Sequence, residues 1–257
     1  MRTLLTWFCV AVIGLASTQS FGALDGTKDS ADFDFKYEMD VDPSTENLDS
    51  AGGGSGDWAV APGTTAPTFD GLMNMNSQWV ELHGGSGWGD IFDNPTLDGY
   101  NHGYTMELKL KLDIVSTFDM YVQTGATADS GIRVEIEDSA VHYGAPSGRV
   151  KVSDKNTQGE WHTYRLVGHK YSVNADNVWS LWMDGELLMD EVDLGTPVLG
   201  DGRRLTIGNV HDIDIQGQVD YFRITSGTWA PIPEPSTCSL LVLGALALFP
   251  RLRRKRS

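Results

Sequence analysis

The sequence predicts an all-β fold, a single antiparallel sandwich of strands joined by turns and loops. Apolar and charged residues alternate along several stretches, which places one side of each strand on a core and the other in water. Clusters of Gly, Asp and Asn interrupt these stretches where turns are expected. No amphipathic helix of useful length is evident, so sheets must supply the core.

Three stretches show this alternation best. The first contains the apolar residues Phe33, Phe35, Tyr37 and Met39, the second runs from Met106 to Ile114, and the third contains Ile132, Val134 and Ile136. The segment from Tyr104 to Val115 would span roughly 40 Å as one strand. Residues 24–230, about 207 in number, suit one sandwich domain.

The first 23 residues are typical of a secretory signal peptide. Arg2 precedes an apolar run from Leu4 to Ala16, and small or polar residues follow at 17–22. Cleavage by signal peptidase fits after either Ser20 or Gly22, because both sites have small residues at the −3 and −1 positions. The protein is therefore expected to be exported.

The last 27 residues contain three features in a fixed order. An extended Pro-Glu-Pro tripeptide precedes an apolar run from Leu240 to Phe249, and a basic cluster follows. A helix over 236–250 would rise only about 22 Å, against roughly 30 Å of bilayer hydrocarbon. The cations favour a short transmembrane helix even so, because they suit the cytoplasmic membrane face. The tripeptide is Pro233, Glu234 and Pro235, and the cluster is Arg251, Arg253, Arg254, Lys255 and Arg256.

This tail resembles the bacterial PEP-CTERM sorting domain, which has the same three features in this order. The resemblance implies a precursor anchored temporarily in the inner membrane and processed near the motif by an exosortase. It places the mature protein at the cell surface or in the extracellular matrix of an exopolysaccharide-producing Gram-negative bacterium. It does not indicate what the exported domain does.

Removing both ends leaves an acidic domain without cysteine. The signal peptide holds one of the 19 cations and the tail holds five, and the tail also holds one of the 35 acids. The remaining domain therefore has 13 cations and 34 acids, a net charge near −21. Nucleic acid is thereby excluded as a partner, because phosphate binding needs a basic face. Cys9 and Cys238 lie in the removed ends, so the hydrophobic core must stabilise the domain alone.

Four segments in the second half of the chain have distinctive strand motifs. Gly159-Glu160-Trp161-His162 begins the first, residues 178–188 contain Asp184-Gly185 as a two-residue hairpin turn, and residues 204–209 and 217–224 are the third and fourth. In this order they resemble the Gly-x-Trp-His strand, the hairpin and the last two strands of the laminin G-like and concanavalin A-like sandwich superfamily, a jelly roll. The resemblance implies a glycan-binding, adhesive or glycosidase domain, since the fold hosts all three.

We predict glycan or exopolysaccharide-matrix binding and no catalytic residue. Family 16 glycosidases have paired acids on one strand, but Glu191-Val192-Asp193 is followed by Gly195 and Thr196 where the second glutamate belongs. Glu135-Ile136-Glu137-Asp138 has acids at alternating positions but lacks the third acid of the pattern. Residues 159–166 also resemble one strand of 3-keto-disaccharide hydrolases, with His162 where that family often has Asn. A carbohydrate-active enzyme and a structural matrix protein remain alternatives. Exposed aromatic side chains would favour a lectin, a paired-carboxylate cleft an enzyme, and a purely charged face a structural role.

The long loop at 83–103 supplies the predicted site residues. Trp88 and Tyr100 are candidates for stacking on sugars. Asp90, Asp93, Asn94 and Asp98 are candidate ligands for calcium, with Asn209, Asp212 and Asp214 as a second group. Solvated loop acids are the alternative for both groups. Trp161 and one face of 179–183 are assigned to the core, and His162 to a structural role on its strand.

Overall fold

A computed structural model describes residues 24–33, 35–39, 58–60, 68–76, 79–83, 103–113, 118–123, 131–137, 139–145, 148–155, 157–168, 178–194, 204–208 and 216–232. This part of the chain is nearly all β, which confirms the predicted class. It contains no helix that is long and apolar enough to span a membrane. The signal peptide, the sorting motif, the transmembrane segment and the basic cluster lie outside these residues.

The described strands are β1 (Gly26–Thr27), β2 (Phe35–Tyr37), β3 (Trp58–Val60), β4 (Thr68–Phe69), β5 (Met73–Asn76), β6 (Trp79–His83), β7 (Tyr104–Leu112), β8 (Phe118–Gln123), β9 (Gly131–Glu137), β10 (Ala140–Ala145), β11 (Gly148–Ser153), β12 (Trp161–Gly168), β13 (Val178–Met183), β14 (Glu186–Asp193), β15 (Arg204–Gly208), β16 (Gln216–Ser226) and β17 (Trp229–Ala230). A single 3₁₀ turn at Ser30–Asp32 accompanies them among the described residues.

Two antiparallel sheets enclose the core. The inner sheet, as we name it, has the strand order β11-β10-β9-β8-β15-β6-β3. The clasped sheet has the order β14-β13-β12-β7-β16-β5-β4, with β2 also paired to β16. Met106, Leu108 and Leu110 of the clasped sheet and Ile132 and Val134 of the inner sheet belong to one buried cluster, each at most 1% exposed. The buried apolar side predicted for β7 and β9 is therefore confirmed, whereas Glu107 and Glu135 on the opposite side, which was predicted to face water, are also buried.

The Asp184-Gly185 turn between β13 and β14 has the predicted conformation. The φ angles are 51° at Asp184 and 77° at Gly185, as a two-residue hairpin of the primed type requires. The Asp184 N–H donates to the carbonyl of Thr163 at 2.8 Å, which connects the turn to β12. The turn therefore holds three neighbouring strands in register.

Gly185→Val is expected to lower the free energy of unfolding by about 1–3 kcal/mol, because a β-branched residue is strained at positive φ. No atom lies within 4 Å of the added Cβ, so backbone strain and not a clash causes the loss. Gly148→Val is the matched control, since Gly148 also has open space around its Cβ but an ordinary φ. Urea unfolding of both variants measures the difference, and equal stabilities would contradict the strained turn.

The two ends of the described domain form a structure that the strand pattern did not predict. β1 and β17 pair in parallel, and we name Leu24–Phe33 with Gly227–Ile232 the terminal clasp. The Asp25 N–H donates to the Thr228 carbonyl at 2.8 Å, and the Thr228 N–H donates to Asp25 Oδ2 at 2.8 Å. The clasp lies on the outer face of the clasped sheet, where Val167, Trp182 and Ala230 form a second small core.

Candidate ligand-binding site

A buried ion pair forms the floor of the candidate site. Glu107 on β7 and Arg165 on β12 are register partners on the outer face of the clasped sheet. Arg165 Nε and Nη2 lie 2.7 and 2.6 Å from Glu107 Oε2, and the two side chains are only 4% and 5% exposed. Arg165 Nη1 also donates to the carbonyls of Lys28 and Ala230, at 2.8 and 2.7 Å. One guanidinium therefore joins the sheet to both halves of the terminal clasp.

Tyr221 on β16 completes the floor. Its hydroxyl donates to Glu107 Oε1 at 2.8 Å, so both carboxylate oxygens are hydrogen-bonded. Burial raises the pKa of Tyr221 to about 12, and the negative charge of Glu107 adds to the rise. The phenol is therefore a hydrogen-bond donor at any physiological pH.

The Tyr221 pKa predicts a loss of stability in alkali. Tyrosine ordinarily ionises near pH 10, so this contribution is fully present below pH 10 and is lost as the pH rises towards 12. The free energy of unfolding should fall over that interval, and it should fall less in Tyr221→Phe. Urea unfolding at several pH values tests this expectation, which an identical decline in wild type and variant would contradict.

A pocket of about 230 Å³ opens above this floor. Its walls come from three places: the first half of the clasp, the second half of the clasp, and the hairpin turn with the neighbouring β12. Three hydroxyl groups, three carboxylates and two cations line it, together with two aliphatic side chains. The walls contain Lys28, Asp29, Ser30, Thr163, Asp184, Pro231 and Ile232.

An exposed indole lies beside the pocket on the same face of the sheet. Trp161 is 37% exposed and stands two residues before Thr163 on β12. The ammonium group of Lys109 lies 5.4 Å from the centre of the indole ring and 2.6 Å from Asp220 Oδ2. Trp161 and the pocket residue Thr163 therefore lie on the same face of β12, with the Lys109–Asp220 ion pair against the indole.

Asp184 connects the turn to the strand beneath the pocket. Its Oδ1 accepts the Thr163 N–H at 2.8 Å, and its Oδ2 lies 2.7 Å from His162 Nδ1. The His162 ring also packs edge-on against Tyr164, with 6.4 Å between ring centres. These contacts agree with the structural role predicted for His162.

A second polar cluster covers part of the outer face of the inner sheet. Arg133 donates to both oxygens of the fully buried Asp119, at 3.0 and 2.9 Å. Arg133 also pairs with Glu135 at 3.1 Å, and Arg149 Nη1 joins Glu135 to Glu137 at 2.7 and 2.8 Å. Three carboxylates and two guanidinium groups thus form one line of ion pairs across β8, β9 and β11.

Within the described residues, Glu135, Glu137 and His142 are the group that could hold a metal ion, with ligand atoms within 4.8 Å of one another. Arg149 already bridges the two carboxylates and supplies the positive charge that a cation would bring. The same contacts bind both acids of the Glu135-Ile136-Glu137 sequence in ion pairs. The arrangement is that of a structural charge network.

The structure reassigns one predicted residue and leaves others untested. Trp161 was predicted to lie in the core, but it is exposed, because the residues of β12 that face the core are the alternate ones, such as Tyr164 and Leu166. Trp179, Leu181 and Met183 are buried as predicted. The ligand candidates Trp88 and Tyr100 lie outside the described residues, as do both predicted calcium groups: Asp90, Asp93, Asn94 and Asp98, and Asn209, Asp212 and Asp214.

Sequence reasoning missed the floor of the pocket. Glu107 and Arg165 stand at alternating positions of their strands, a pattern that indicates a solvated face. They are buried only because the terminal clasp covers them, and the clasp joins residues about 200 positions apart. The one local signal was the presence of a charge on each of two neighbouring strands.

No protein-family model and no curated protein matches the chain. Among solved structures, a galectin of Caenorhabditis elegans is 17% identical over 49% of this chain and 85% of its own, with a TM-score of 0.36. The fourth domain of an extracellular arabinanase from Geobacillus stearothermophilus, solved with arabinotriose, is 16% identical over 70% of this chain and 79% of that domain, with a TM-score of 0.42. A Trypanosoma rangeli sialidase, solved with sialic acid, is 11% identical over 64% of this chain but only 27% of the sialidase, with a TM-score of 0.47. All three TM-scores are below 0.5, so these similarities assign neither a site nor an activity.

Proposed function

We propose that this protein is an exported glycan-binding protein and that the pocket with Trp161 is its binding site. The observation that carries the proposal is an exposed indole beside a pocket lined by hydroxyl and carboxylate groups. Sugar rings present apolar C–H faces, which stack on aromatic rings, and hydroxyl groups that both donate and accept hydrogen bonds. A site for sugars therefore needs both kinds of surface next to each other.

The polar groups of the pocket are held in place before a ligand arrives. Asp184 is fixed by the Thr163 N–H and by His162, and Glu107 by Arg165 and Tyr221. A ligand then loses little affinity to the ordering of side chains. The two-sheet architecture and the order of the strand motifs support a sandwich of the laminin G-like, concanavalin A-like type.

Binding to a glycan array by the full chain tests the proposed site. Trp161→Ala is expected to weaken binding about tenfold or more, because a stacked aromatic side chain is a typical hot spot. Trp161→Phe should retain part of the affinity, since it keeps an aromatic face. Val150→Ala is the matched control, because Val150 is also an exposed apolar side chain (51%) but lies on β11 of the inner sheet. Equal binding by Trp161→Ala and wild type would place the site elsewhere.

We propose further that the protein reaches the cell surface through PEP-CTERM sorting. The support is the order of the tripeptide, apolar run and basic cluster at residues 233–256, together with the signal peptide at the other end. Replacing Pro233, Glu234 and Pro235 with alanine should leave an unprocessed precursor in the inner membrane, because the apolar run and the cations remain. Cell fractionation measures this, and normal release of the variant would contradict the sorting proposal.

Calcium binding by the loop of Asp90, Asp93, Asn94 and Asp98 is also a proposal, supported by the acidic composition of that loop. Calcium should raise the melting temperature more than magnesium does, and Asp93→Ala with Asp98→Ala should remove most of the rise. The same small shift from both ions in wild type and double variant would indicate general screening of charge.

A further inference from the structure

The pocket is closed at one end by the terminal clasp. On the outer face of the clasped sheet, the row next to Glu107 and Arg165 contains Thr105 and Val167, which are paired in register and fully buried. Thr105 Oγ1 donates to the Gly227 carbonyl at 2.8 Å and accepts the Trp229 N–H at 2.9 Å. Clasp backbone therefore lies directly on this row, and a ligand cannot continue past the floor in that direction.

The opposite direction along the strands leads to the exposed indole. The row after Glu107 and Arg165 contains Lys109, Thr163 and Tyr221, and the next row contains Lys111 and Trp161. Two residues of a strand span roughly 7 Å, so consecutive parts of one oligosaccharide could contact both Thr163 and Trp161. An oligosaccharide that lies along these strands is therefore blocked at the terminal clasp and can extend into solvent at Trp161.

The charges of the pocket disfavour an anion. Arg165 gives its N–H groups to Glu107 and to two clasp carbonyls. The Lys28 ammonium donates to Thr225 Oγ1 at 2.7 Å and lies 5.7 Å from the centre of the Trp229 ring. The charges of Arg165 and Glu107 cancel, which leaves two lining acids, Asp29 and Asp184, against one lining cation, Lys28. Carboxylate lone pairs and hydroxyl groups suit an uncharged ligand that donates hydrogen bonds.

We propose that this pocket takes the uncharged terminal sugar of a polysaccharide chain, and that the following units of the chain pass over Trp161. The proposal rests on the glycan-binding function above and adds the mode of binding. The protein recognises chain ends, because the clasp stops the chain at Glu107 and Arg165. A chain that ends in a uronic acid is rejected, because its carboxylate would approach Asp29 and Asp184 while Arg165 and Lys28 already have partners inside the protein.

The test uses the full chain and immobilised neutral glucans, xylans, mannans and galactans, each as short oligosaccharides and as long polymers. End recognition predicts the same number of bound protein molecules per glycan chain at both lengths. Oligosaccharides capped with glucuronic acid should bind about tenfold more weakly than those capped with glucose. Thr163→Met should abolish binding by filling the pocket while Trp161 remains. The melting temperatures of Thr163→Met and of the control Val150→Ala show whether each variant is folded.

The outcomes separate the two proposals. Equal binding per chain end together with loss in Thr163→Met supports end recognition. Bound protein that increases with chain length, or wild-type binding by a folded Thr163→Met, overturns end recognition. Equal binding of acidic and neutral ends overturns the preference for an uncharged terminal sugar. Each of these outcomes leaves glycan binding intact. No binding to any neutral glycan, with the folded wild-type chain, overturns both.

Discussion

Glu107→Leu is expected to lower the free energy of unfolding by about 3–5 kcal/mol, because it leaves the Arg165 guanidinium buried without its partner. The Arg165 side chain is 4% exposed and has two clasp carbonyls as its other acceptors, which carry no full charge. Tyr221 also loses the acceptor of its hydroxyl proton. Chemical denaturation measures the loss, and a change below about 1 kcal/mol would show that water reaches Arg165.

The double variant Glu107→Leu with Arg165→Met separates the ion pair from the packing around it. Replacing both members of a buried pair with apolar residues is often close to neutral, whereas removing one member is not. The double variant should therefore be more stable than Glu107→Leu alone. Attachment of the clasp should still be weaker, since Arg165 donates from β12 to the carbonyls of both Lys28 and Ala230. Faster proteolysis near the two ends of the domain would report that weakening.

Trp179→Ala is expected to cost about 3–5 kcal/mol, the largest effect in the hydrophobic core. Trp179 is fully buried and packs edge-on against Tyr104, with 5.6 Å between ring centres. Removing the indole leaves a cavity between the two sheets that neighbouring side chains can only partly fill. A melting temperature close to that of wild type would contradict the position of β13 in the core.

Trp161→Ala is the matched control for this prediction. The two tryptophans lie on adjacent strands of one sheet, but Trp161 is 37% exposed on the outer face. Its replacement should change stability by only about 0.5 kcal/mol, as is usual for surface positions. The pair therefore separates two effects: Trp179→Ala should lower stability, and Trp161→Ala should lower glycan binding in a stably folded protein.

The periodicity of β7 and β9 predicted strands and the buried side of each, and the structure confirms both. The predicted hairpin turn is also correct, because Asp and Gly at adjacent positions carry their own preference for positive φ. Trp161 was assigned wrongly because strand pattern places residues on alternate sides without stating which side meets the other sheet. Trp161 and Trp179 lie on different strands and were both assigned to the core, but only Trp179 of the two is buried.

The sequence by itself determined the all-β class, which residues of the longest strands face the core, and the turn at Asp184-Gly185, since each depends on residues close together in the chain. It also determined the acidic charge, which follows from composition alone. The tertiary structure alone decided the site. It brings Lys28, Arg165 and Ala230 together through one guanidinium, although they are far apart in sequence. The terminal clasp covers Glu107, forms part of the pocket wall and closes the pocket on the side of Thr105. Burial and pocket shape depend on such long-range packing, which no local sequence pattern records.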